Sequence, residues 1–125
     1  MPIDKPWLPR ERFAPKALPG TVGVYELGDA GGDVIFVGFA GGRTAFGLRG
    51  VIGDHFSDNE PNTVIRARAE RYRYEVTTNY LIRRLELLSR FHEDNGRLPP
   101  GNEAGREPLP PLARYHWTTP TSRGV

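Results

Sequence analysis

The chain has no cysteine, so neither a disulfide framework nor a thiolate-held zinc is open to it. It holds only two lysines, Lys5 and Lys16, against fifteen arginines. It lacks any apolar run near the ~18 residues of a membrane span and any charged-then-apolar leader. These absences lead us to expect no membrane span and a cytoplasmic setting. Charge of one sign is also scarce, the formal net charge being +2. Arginine forks onto phosphate oxygens where lysine is a point charge. GC-rich coding produces the same arginine bias, so composition alone does not establish nucleic-acid binding.

Proline is nearly missing from the middle: of 12 prolines, only Pro61 lies between residues 20 and 98. The rest bracket a single domain, with a Pro-rich N-terminal extension over 1–18 that is expected to be extended and to wrap or fray. A Pro-rich tail over 103–125 closes the chain. From Pro99 onward no long helix or central strand is sustainable.

Between these flanks, Thr21 to Leu27 mixes β-branched and aromatic residues as a strand does. Gly28 to Asp33 supplies turn chemistry, and Val34-Ile35-Phe36-Val37 reads as a strand covered on both faces. Leu48, Val51, Ile52 and His55 recur at helical spacing. Gly47, Gly50 and Gly53 leave one bare stripe on that helix, which suggests close backbone approach. Thr63 to Glu70 reads as a short helix. Arg71 to Thr77 alternates, with Tyr72, Tyr74 and Val76 on one face, and reads as a third strand. The clearest helix follows, capped by Thr78 or Asn79 and ended by Asn95-Gly96. Its expected core stripe is Leu81, Ile82, Leu85, Leu88 and Phe91. The fold class is α/β in the α+β sense: a small three-stranded antiparallel sheet flanked by helices.

The triplets Gly23-Val24-Tyr25 and Phe36-Val37-Gly38, followed by Arg49, His55, Glu86 and Asn102, resemble the GIY-YIG nucleases. The resemblance covers roughly 19–102 and implies a three-stranded sheet flanked by helices and a metal-dependent endonuclease acting on DNA. It implies Tyr25 as the phenol near the attacking water and Arg49 as the cation on the scissile phosphate. His55 would assist at the phosphate. Glu86 would be the ligand of Mg²⁺ or Mn²⁺, with Gly23, Phe36, Gly38 and Asn102 in support. Two positions depart from the family pattern. Phe36 stands where a tyrosine is usual and lacks the hydroxyl. Val51 stands four residues before His55, where an arginine is usual. Arg49 is six before His55, about 240° around a straight helix, so the two would point apart.

Each residue also has a plainer role. Tyr25 can be a packed strand tyrosine, and His55 a histidine on an apolar helix face. Glu86 precedes Arg90 by four residues, a favourable helix ion pair. Asn102 can be a turn residue. Arg43 in the glycine-rich loop, and Arg83 and Arg84 on the last helix, could contact a nucleic-acid backbone. Interspersed glutamates make a mixed solvated surface the alternative. Tyr115, His116 and Trp117 could stack on bases or clamp the tail. Three functions follow: a metal-dependent nuclease, a catalytically degenerate GIY-YIG module that binds DNA or a protein without cutting, or a small interaction domain. A single cutting domain of this size would form a homodimer or act twice to break both strands.

Overall fold

A computed structural model describes residues 3–14, 18–44 and 46–104. Tyr115, His116 and Trp117 lie outside the described residues. In chain order the elements are β1 (Leu8–Pro9), a 3-10 turn (Arg10–Arg12), β2 (Gly23–Gly28), β3 (Val34–Ala40) and α1 (Gly47–His55). Then come α2 (Thr63–Arg68), β4 (Arg71–Val76), α3 (Tyr80–Asn95) and α4 (Pro100–Ala104). No described helix is long and apolar enough to cross a membrane.

The sheet has four strands rather than three, in the order β1-β4-β2-β3, all antiparallel. The extra strand comes from the Pro-rich N-terminal segment. Leu8 faces Tyr72 and Pro9 faces Arg71 across the ladder, and the amide of Arg10 donates to the Glu70 carbonyl at 2.8 Å. Proline is tolerated there because β1 lies at the sheet edge. Residues 3–14 of this segment lie against the domain, and Ile3 enters the core.

Strand alternation gives the sheet two covered faces. Tyr25 and Leu27 of β2, Phe36 and Ala40 of β3 and Tyr72 of β4 pack with Leu48 and Ile52 of α1 and Ile65 of α2. Val24 and Val37 point the other way, against Leu87 and Leu88 of α3 and against Ile3. Tyr72 and Tyr74 share the first face, as the alternating pattern predicts.

The expected stripe of α3 is corrected. Leu81 and Ile82 are exposed, whereas Arg84, Leu87, Leu88 and Ser89 are buried. The buried face runs through Tyr80, Arg84, Leu87, Leu88 and Phe91, the i, i+4, i+7, i+8, i+11 spacing of one helix side. An arginine takes part because its guanidinium lies 5.2 Å from the Phe39 ring while its stem covers apolar surface. Gly96 ends α3 in the left-handed region, as expected. Asn79 precedes the helix without a side-chain capping bond.

Two devices fix the helices on the first face. Gly47 opens α1 at φ +56°, and a Cβ there would collide with the Thr21 carbonyl. The bare stripe therefore does reflect close backbone approach at this position. Asn62 caps α2, its Oδ1 accepting from the amides of Val64 and Ile65 at 3.1 and 3.3 Å.

Candidate site: a buried phenol, imidazole and carboxylate

Tyr25 projects from β2 onto the C-terminal end of α1. Its ring lies across Gly38 of β3, directly opposite in the ladder, where a Cβ would overlap the phenol. Its Oη lies 2.6 Å from His55 Nε2. His55 Nδ1 in turn meets Glu60 Oε1. The second oxygen of Glu60 accepts the Asn62 amide at 2.8 Å. Arg66 holds the backbone carbonyl of Glu60 through Nε and Nη2 at 3.1 and 2.9 Å. Phe36 closes one side, its ring centroid 5.2 Å from that of His55 and 6.1 Å from that of Tyr25. Tyr25 is 2% exposed and Glu60 6%. Buried polar groups are costly unless bonded, and these three are bonded to one another and, through Glu60, to the Asn62 amide.

Sequence reasoning singled out Tyr25 and His55 and missed Glu60. The signal for Glu60 was weak: an acidic residue five after His55, beside Pro61 and the capping Asn62. Only the turn after α1, closed by the bond from the Glu60 amide to the Ser57 carbonyl, brings it under the imidazole.

The other expected site residues lie elsewhere. Arg49 points away from His55, as the six-residue spacing implies, and its Nε and Nη2 both donate to the Leu18 carbonyl at 3.1 Å. Val51, within α1, packs against the core. The N-terminus of α1 is no phosphate cradle either, because its amides at Leu48 and Arg49 donate to the Thr21 and Pro19 carbonyls. Asn102 is not in a turn after Gly101. It sits in α4 and grips the outer edge of β3, accepting from the Val37 amide at 2.8 Å and donating to the Val37 carbonyl at 2.9 Å.

Glu86 stands on α3, which covers the sheet face opposite Tyr25. Its side chain is 58% exposed and contacts Arg83 Nη1 at 3.4 Å. Arg90 pairs with Asp94 rather than with Glu86. Arg83 is shared, its Nε and Nη2 donating to Glu75 at 2.9 and 3.1 Å. Burial opposes the Arg83 charge, but Glu75 first and then Glu86 outweigh it and raise its pKa. Arg83 reaches one oxygen of Glu86 and would compete there with a divalent cation. Among the described residues no three His, Asp or Glu side chains gather as a metal cage.

Arg84 is buried and Arg83 ion-paired, while Arg43 is exposed in the loop after β3. On the α3 face, Arg73 bonds the buried Glu26 at 2.7 Å and stacks 4.1 Å over the Trp7 ring. Burial nevertheless pushes the Glu26 carboxyl up, against the opposing pull of Arg73.

A family model described as "Domain of unknown function (DUF7508)" matches residues 1–94, and the chain belongs to that family. No curated protein and no solved structure matches the chain.

Proposed function

We propose that this member of the DUF7508 family is a catalytically degenerate GIY-YIG-like module that binds a partner without cutting DNA. One observation carries the reading: the sheet lies between Tyr25 and the helix bearing Glu86, so phenol and carboxylate do not share a substrate phosphate. Phe36 and Val51 add to it, since both put apolar groups where the resemblance implies polar ones. A protein is the better-supported partner. Arg10, Arg49, Arg66, Arg71 and Arg73 spend donors on carbonyls or carboxylates of the domain itself. Phe46, Val76, Leu81 and Ile82 meanwhile stay exposed. Exposed apolar groups favour protein contact where they adjoin.

The test is incubation of purified protein with supercoiled plasmid, with and without Mg²⁺ or Mn²⁺. The expected result is no nicking, and only weak, salt-sensitive DNA binding. Metal-dependent nicking that disappears in Glu86→Ala would overturn the reading.

A second reading, phosphodiester hydrolysis at Tyr25, is favoured by the Tyr25–His55–Glu60 chain. A free phenol is a poor base at neutral pH. An imidazole backed by a carboxylate supplies the missing proton acceptor. This reading requires nicking that survives Glu86→Ala and is lost in Tyr25→Phe.

A further inference from the structure

We propose that Glu60 is a positioning residue that locks His55 in its Nδ1–H tautomer and so makes Tyr25 the hydrogen-bond donor of the pair. A carboxylate only accepts hydrogen bonds. Glu60 Oε2 already accepts the Asn62 amide, a backbone donor that cannot reverse its role. Oε1 faces His55 Nδ1, so Nδ1 carries the proton. A neutral imidazole then presents a bare lone pair at Nε2, and the Tyr25 hydroxyl, 2.6 Å away, points its proton there. The Arg66 guanidinium on the Glu60 carbonyl fixes the backbone from which this carboxylate extends.

The consequence is chemical. If the Tyr25 proton passes to Nε2, the O–H bond breaks, an N–H bond forms, and the new imidazolium lies against the carboxylate. Three side chains from β2, α1 and the turn after it thus make a proton-transfer unit whose direction Glu60 sets. This inference does not rest on the binding reading. It concerns the resting protein, and its test uses neither DNA nor metal.

The experiment is two-bond ¹H–¹⁵N correlation of the imidazoles at neutral pH. In the wild-type protein His55 is expected with Nδ1 protonated and Nε2 bare. Glu60→Gln is the discriminating variant, because an amide accepts at one end only. Its oxygen goes to the fixed Asn62 amide and its NH₂ faces Nδ1. The tautomer then reverses, and the Nε2 resonance moves from the unprotonated to the protonated region. Tyr25→Phe is expected to leave the wild-type tautomer in place, since the phenol follows the tautomer and does not set it. An Nε2–H or doubly protonated His55 in the wild type overturns the proposal. So does a wild-type pattern in a folded Glu60→Gln protein, or a reversed tautomer in Tyr25→Phe. If Glu60→Gln does not fold, the wild type and Tyr25→Phe decide.

Discussion

Gly38 lies under the Tyr25 ring, with the Phe36 ring beside it, and both crowd the space a side chain would need. The opposite strand pairs Tyr25 with Gly38 so closely that the phenol fills the missing Cβ position. Gly38→Ala must therefore displace the ring and stretch its bond to His55. Overpacking of this kind typically costs about 1–3 kcal/mol. Urea unfolding is expected to show a loss in that range, together with a changed His55 imidazole signal. The first triplet glycine has a separate reason. A Cβ on Gly23 would strike the Glu75 carbonyl and the Leu48 side chain, so Gly23 is what lets α1 settle on the sheet. Both glycines were legible as members of triplets, but the ring and the helix that make them necessary are distant in sequence. Glu60 was illegible for the same reason, since its partner is fixed by how a turn closes.

Among the elements, α4 and the hairpin were decided differently. The hairpin β2–β3 was readable because a β-branched and aromatic stretch and a continuous apolar run flank turn residues. Its turn is held by Asp29, whose Oδ1 accepts from the amides of Gly31 and Asp33 at 3.0 Å. The Asp33 amide, chiefly, keeps the Asp29 carboxyl below its ordinary range. The helix α4 offered little signal, being five residues begun by a proline. Its work is edge protection. β3 is the last strand of the sheet, and Asn102 replaces a neighbouring strand at Val37 by supplying one donor and one acceptor. Asn102→Ala strands both groups in a buried setting, and a buried polar group left unsatisfied costs about 1–3 kcal/mol. Faster hydrogen exchange at the Val37 amide, alongside a lower unfolding midpoint, is the expected readout. Unchanged exchange there would show that α4 does not guard the edge. The register of α3 was misread because Arg84 and Ser89 share its buried side, and a polar residue there does not look like core.

At the scale of the molecule, residues 3–14 pack onto the domain through β1 and Ile3. Ile3 is 2% exposed and packs with Val24, Val37, Leu87 and Leu88. Truncating a buried isoleucine typically costs about 2–5 kcal/mol. Ile3→Ala is expected to lower stability by an amount in that range, measurable by urea unfolding. A loss within a few tenths of a kcal/mol would mean that the segment only drapes the surface.

The sequence by itself determined the class of fold, the hairpin, the third long strand, the closing helix and its glycine stop. Those follow from local periodicity and turn chemistry, which act over a few residues. Tertiary structure alone decided which polar groups meet. It brought Glu60 beneath His55, left Arg49 on the Leu18 carbonyl, and put the sheet between Tyr25 and Glu86. The physical reason is alternation. Whether a helix covers one face of a strand or the other depends on long-range packing, and that choice separates or unites side chains that sequence order alone leaves equally eligible.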